Sequence, residues 1–182
     1  VREMTGYLHI AISRLAWLDA PVIAAVNGAA AGAGLSLAAC CDLVIASDTA
    51  KFTSAYTRIG LTPDGSSTYF LTRVIGRRRA LELYLTNRTL TAQEALDWGL
   101  VNRIVPSADL QKEVDQLARD LAAGPTLAHG GVKRLVLMSP NDTLESQMER
   151  ETREIARMVG TEDGQNGIAA FINKQKPVFE GR

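Results

Sequence analysis

Two short stretches of this 182-residue chain carry residue types that could do chemistry. The first is Asn27-Gly28-Ala29-Ala30-Ala31-Gly32-Ala33-Gly34, followed by a small apolar helix expected from about Leu35 to Cys41. Small side chains let backbone approach a ligand closely, and the amides that open a helix have no partner inside it. Aided by the helix dipole, such amides can hold a developing negative oxygen. The second is Asp64, in the turn Pro63-Asp64-Gly65, a carboxylate able to take a proton or attack as a nucleophile. Each stretch has a plain alternative. Gly and Ala also serve tight strand–helix packing, and Asp is an ordinary turn or N-cap residue. Local sequence leaves both readings open.

Other constellations fail. Gly34-Leu35-Ser36-Leu37-Ala38 resembles a nucleophile elbow but has Ala38 where that motif needs glycine. A triad also needs a histidine, and His9 and His129 both fall in helical context, where they read as structural or surface residues. Gly28, Gly32 and Gly34 do not make a dinucleotide fingerprint, and no phosphate-loop lysine follows. Arg73, Arg77, Arg78 and Arg79 read as a solvated helix face ahead of a contact for a ligand phosphate. Cys40 and Cys41 are adjacent, so they match no spaced metal or redox pattern and are expected as buried reduced thiols of an intracellular protein.

Twenty Lys+Arg against 20 Asp+Glu leave a net charge of zero, so no bulk field favours nucleic acid or anionic lipid. Residues 20–41 carry no charge, yet Pro21, Asn27, Gly28, Gly32, Gly34 and Ser36 break them into strand, turn and helix rather than a membrane span. No charged-then-apolar leader opens the chain, and the expected location is cytoplasmic. Val1 already stands in helical pattern, as though a longer protein began upstream.

The elements that must position these residues read as α/β. Leu8, Ala11, Ile12 and Leu15 form a helical stripe that Asp19-Ala20-Pro21 ends. Val22–Val26 and Leu43–Ala46 are short apolar runs suited to strands buried on both faces, joined by the turn and helix as one parallel crossover. A single turn is expected at Ser54–Arg58, then helices at Ser66–Ile75 and about Arg78–Leu85. Thr91-Ala92-Gln93-Glu94 fits a capping box and Gly99 a C-terminal cap, which predicts a helix over 92–98. A strand at Leu100–Val105 precedes helices at 109–123, 126–138, 143–159 and 164–174. The chain is expected to divide into a core, 1–108, and a helical region, 109–182.

The run from Pro21 to Ala38, then Cys41-Asp42, resembles the signature of the enoyl-CoA hydratase/isomerase (crotonase) family. Ala50-Lys51-Phe52, Ile59–Asp64, Leu71–Gly76, Leu85–Arg88, Ala92–Ala95, Trp98–Val101 and the terminal Gly167–Phe171 with Lys174 and Pro177 continue the match in order. The resemblance implies a ClpP/crotonase fold of ββα units with a C-terminal helical region that builds trimers or hexamers, here without the family's N-terminal third. It implies an acyl-CoA thioester substrate and no cofactor beyond that coenzyme A, with no nucleic-acid or membrane partner. Carried over by position, the amide of Ala33 would be one oxyanion-hole donor. Ala31, Gly32, Tyr56 and Pro63 would line the substrate, and Phe171 and Lys174 would reach coenzyme A.

Family hydratases use two glutamates, and the matching positions hold Ser36 and Tyr56, neither a carboxylate acid or base at neutral pH. The Ser36 hydroxyl is therefore expected to matter little. Asp64 matches the carboxylate of family isomerases and of the 4-chlorobenzoyl-CoA dehalogenases. As an isomerase base it would move a proton between carbons while the oxyanion hole holds the enolate. As a dehalogenase nucleophile it would attack an aromatic carbon. Leu85–Leu90 and Asp97–Val101 resemble the dehalogenases, whereas Gly60–Asp64 resembles the isomerases. The dehalogenases have Trp where Tyr56 stands, and their auxiliary histidine is expected outside this chain. Isomerisation is the favoured reading, ahead of hydration, dehalogenation and a non-catalytic binding role.

Overall fold

Pro21 disfavours helix before it and within it, and the first helix stops short of it. The structure, a computed structural model, describes residues 2–182. Helix α1 (Arg2–Trp17) leads to β1 (Ile23–Val26), β2 (Ala29–Ala31), α2 (Ala33–Cys40), β3 (Leu43–Ser47) and β4 (Lys51–Thr53). A 3-10 turn at Tyr56–Ile59 follows, then α3 (Ser67–Val74), α4 (Gly76–Thr86), β5 (Leu90–Thr91), α5 (Ala92–Asp97) and β6 (Arg103–Val105). The rest is helical: α6 (Leu110–Ala122), α7 (Thr126–Met138), a 3-10 turn at Ser139–Asn141, α8 (Leu144–Val159) and α9 (Glu162–Ile172).

The two apolar runs behave as their composition requires. β1 pairs parallel with β3, from Ile23 opposite Leu43 to Val26 opposite Ala46, and β6 adds parallel on the far side of β3. Parallel neighbours need a crossover, and α2 supplies it. A second sheet, in the order β2-β4-β5, is not expected from the sequence. Ala29–Ala31 reads as part of a turn, yet it pairs parallel with Lys51–Thr53, which in turn pairs antiparallel with Leu90–Thr91. Strands of two or three residues are too short to show alternation.

The local signals around α5 are realised. Glu94 N donates to Thr91 Oγ1 at 3.2 Å and Thr91 N to Glu94 Oε2 at 2.8 Å, a complete capping box. Gly99, at φ 80°, takes the left-handed conformation just beyond the helix end. Cys40 is buried, whereas Cys41 is only half-buried, so the expectation of two buried thiols holds for one of them.

The chain forms two compact units. The first runs to Ala16 and resumes over Val22–Asp115; the second comprises Trp17–Pro21 and Gln116–Arg182. In the first, Leu35 of α2, Phe52 of β4, Leu71 of α3, Leu83 of α4 and Leu90 of β5 are wholly inside one apolar cluster. In the second, Arg134 of α7 is paired with Asp19 and, at 2.7 Å, with Glu154 of α8. Asp163 of α9 accepts from the amides of Glu180 and Gly181 at 2.7 and 2.9 Å, tying down the C-terminal segment. Among the described residues no helix is long and apolar enough to cross a membrane.

Phe52 is fully buried and Leu85 is 72% exposed, though both are large apolar residues of one unit. Phe52→Ala should cost about 3–5 kcal/mol in denaturant unfolding. Leu85→Ala should stay within about 0.5 kcal/mol of the parent. Equal costs would contradict this core.

Candidate active site

The oxyanion candidate is made by a glycine that only a glycine replaces easily. Gly32 sits at φ 53° before α2, and its N–H donates to Thr53 O at 3.2 Å, which seats the turn on β4. No side chain caps this helix start. Ala33 is the first helical residue, so its N–H belongs to the first-turn amides without a partner in their own helix. Ala31 and Ala33 are exposed, and the Tyr56 ring lies beside Gly32.

One turn along α2, Ser36 is fully buried. Its Oγ donates to the backbone oxygen of Asp64 at 2.7 Å and lies 3.2 Å from both Tyr56 Oη and Gly32 O. Tyr56 Oη is itself 3.4 Å from Asp64 O. The two positions matched to hydratase glutamates thus hold hydroxyls that converge on the main chain of the candidate carboxylate. Nothing local in the sequence joins residues 36 and 64, so this bond is not legible there.

Asp64 does not cap α3; that position belongs to Ser66. Its Oδ1 accepts from the N–H of Gly65 at 2.6 Å and lies 2.6 Å from His9 Nε2. The Gly65 amide chiefly holds the Asp64 carboxyl below its ordinary range; partial burial opposes it, and the hydrogen bond and charge of His9 add to the lowering. The carboxylate is 33% exposed and the His9 side chain 53%.

His9 lies on α1 with its side chain 53% exposed, as a surface residue in helical context should, but its contact with Asp64 is not expected from the sequence. The cause lies in α1. Ile12 is buried, and Ile12 and Leu8 pack over Gly65, so that a β-carbon there would lie 3.5 Å from each. With that stripe on the Asp64 loop, the residue next to Leu8 meets the carboxylate. A histidine flanking the apolar stripe was the available signal.

Ala33, Gly32, Tyr56, Pro63 and Asp64 all belong to the first unit. Phe171, 85% exposed on α9, and Lys174, just beyond it at φ 54°, stand in the second. Arg73 is engaged on its own helix, stacked 3.6 Å over the Tyr69 ring. Among the described residues no three His, Cys, Asp or Glu side chains converge as a metal-ligand set.

The family model for Enoyl-CoA hydratase/isomerase matches residues 6–182. This chain belongs to the enoyl-CoA hydratase/isomerase family. Among curated members, a 4-chlorobenzoyl coenzyme A dehalogenase of Arthrobacter sp is 43% identical over 93% of this chain and 61% of that protein. The 1,2-epoxyphenylacetyl-CoA isomerase of Escherichia coli K12 is 42% identical over 94% of this chain and 65% of that enzyme. The crystal structure of an enoyl-CoA hydratase from Bacillus anthracis superposes with a TM-score of 0.94 at 31% identity, covering 100% of this chain and 70% of that one. The crotonase-type α/β fold is thereby shown. The chain spans about three-fifths of the length of the curated dehalogenase it matches.

Within this enoyl-CoA hydratase/isomerase family member, the arrangement offers three chemical resources. A helix-opening amide can hold an oxyanion, an ionised carboxylate can give an electron pair, and an imidazole beside it can take a proton.

The Asp64 environment has a consequence for pH. A carboxyl lowered in the folded state contributes stability above its unfolded value, about pH 4, and that contribution is lost as pH falls through the folded value. The stability difference between the parent and Asp64→Asn in a His9→Gln background, followed by urea unfolding, should therefore change below about pH 4. A difference that changes instead only above pH 7 would contradict an ionised, hydrogen-bonded Asp64.

Proposed function

We propose that this family member acts on an acyl-CoA thioester, with the Ala33 amide holding the thioester oxygen and Asp64 as the reacting carboxylate. The reaction favoured is nucleophilic substitution on an aryl-CoA, of the kind named for the Arthrobacter relative. The 2.6 Å contact between His9 Nε2 and Asp64 Oδ1 carries this reading. A carboxylate with an imidazole beside it has both a nucleophile for the attack and a base for the later hydrolysis, whereas a proton shuttle between two carbons needs only the carboxylate. In the substitution, an Asp64 oxygen bonds to the aromatic carbon and the ring electrons are taken up toward the thioester oxygen. Halide then leaves with its bonding pair, giving an aryl ester of Asp64. Water attacks the Asp64 carboxyl carbon, His9 takes its proton, and the ester's acyl C–O bond breaks to release the hydroxyaryl-CoA. The family's coenzyme A thioester is part of the substrate, and neither this route nor the next calls on a separate cofactor.

Isomerisation is the second reading, and the one favoured by sequence alone. The resemblance of Gly60–Asp64 to family isomerases and the 42% identity to the Escherichia coli isomerase support it. Asp64 would then carry a proton between two carbons of an enoyl-CoA, with the enolate on the Ala33 amide. Hydration has the weakest support, because Ser36 and Tyr56 supply hydroxyls to Asp64 O rather than two carboxylates.

In the full-length protein, Asp64→Asn should lower turnover by at least about 10²-fold on either route. His9→Gln separates them. With 4-chlorobenzoyl-CoA it should still release about one chloride per site and then accumulate an aryl–enzyme ester, because attack survives and hydrolysis slows. Chloride release absent in the parent, with deuterium exchange at the α or γ carbon of an enoyl-CoA, would replace substitution by isomerisation.

Assembly into trimers or hexamers is proposed through the second unit. There Val132 and Val136 of α7 and Leu144 and Ile155 of α8 are between 60% and 70% exposed. Apolar faces of this kind usually mark an interface. Light scattering of the full-length protein at micromolar concentration should give a multiple of three; a strict monomer would contradict it.

A further inference from the structure

We infer that Ser36 is a positioning residue for Asp64: its buried hydroxyl locks the Asp64–Gly65 peptide plane, and that plane aims the Gly65 N–H at the Asp64 carboxylate. The inference rests on the reading that Asp64 is the reacting group, and it assigns Ser36 a part that acid–base logic does not.

A trans peptide is a rigid unit whose C=O and N–H point in opposite directions. Here both ends are engaged. Ser36 Oγ donates to Asp64 O at 2.7 Å, and Gly65 N donates to Asp64 Oδ1 at 2.6 Å. The serine has a single proton, and Asp64 O is its nearest acceptor; Gly32 O and Tyr56 Oη, both at 3.2 Å, are farther. Tyr56 directs its own proton toward Ser36 Oγ or Asp64 O, so the chain of hydroxyls ends on one carbonyl. A carbonyl that accepts hydrogen bonds makes the N–H of the same peptide a stronger donor.

The close fit is specific. Gly65 has φ 64°, and a β-carbon on it would lie only 3.1 Å from Ser36 Cβ, so glycine is what lets the serine reach the peptide. Ser36 also lies on α2, whose first residue is Ala33. One helix therefore sets both the oxyanion amide and, through Ser36, the direction of the carboxylate. The other titratable groups facing Asp64 are His9 from α1 and Tyr56 from the 3-10 turn.

The test is a carbon-13 NMR titration of the Asp64 carboxyl in the ligand-free full-length protein. Ser36→Ala should raise its midpoint by about half a unit to one unit, a three- to tenfold gain in proton affinity. Tyr56→Phe, which removes only the hydroxyl, should move it the same way by less. The Ser36→Ala shift should persist in a His9→Gln background, since it runs through the Gly65 amide and not the imidazole. Turnover of folded Ser36→Ala should fall about tenfold in kcat with KM nearly unchanged. An unmoved midpoint in folded Ser36→Ala, or a shift that vanishes with His9→Gln, overturns the inference. If Ser36→Ala does not fold, an unmoved Tyr56→Phe midpoint overturns it instead. Full activity of Asp64→Asn would defeat the assignment of Asp64 as reacting group while leaving the titration result standing, so the two failures are distinguishable.

Discussion

The Asp64–Gly65 peptide is held at both ends, and the candidate site is organised around that restraint. A carboxylate one-third open to solvent cannot be kept in one orientation by burial. Hydrogen bonds must do it instead: Ser36 on the carbonyl, the Gly65 amide on Oδ1, and His9 on the same oxygen from α1. Each partner comes from a different part of the first unit, so the site exists only when α1, α2 and the turn before α3 are packed together. The short second sheet contributes by seating Gly32 on Thr53 and thereby placing the start of α2.

This construction separates two jobs that family hydratases give to carboxylates. Ser36 and Tyr56 stand where those glutamates are expected, and here they orient a peptide. In the proposed function the acid–base and nucleophilic capacity passes to Asp64 and His9. The Gly65 amide outweighs the partial burial of the Asp64 carboxyl and keeps it below its ordinary range. The substitution proposed above rests on the imidazole that lies beside this carboxylate.

Much of this fold is legible from residue types. The parallel crossover from β1 to β3 follows from two apolar runs flanking a small-residue turn, and α5 follows from Thr91, Glu94 and Gly99. The strands β2, β4 and β5 are not legible, because two or three residues carry no period and their pairing is a tertiary choice. At the site, the small-residue turn and Asp64 stand out from their own neighbourhoods, whereas Ala33 within that turn is singled out only by the family resemblance. His9 and Ser36 do not stand out. Their partners lie 55 and 28 residues away, and no periodicity encodes which helix face will meet which loop.

The claim that Asp64 attacks as a nucleophile is tested most directly by following oxygen. Full-length enzyme in excess over 4-chlorobenzoyl-CoA, in water enriched in oxygen-18, performs a single turnover. If the aryl group bonds to an Asp64 oxygen and the ester is then split at the Asp64 carboxyl carbon, the first product carries unlabelled oxygen and the label appears in Asp64. Label in the first product, with none in Asp64, would mean that water attacked the ring directly and would contradict the account.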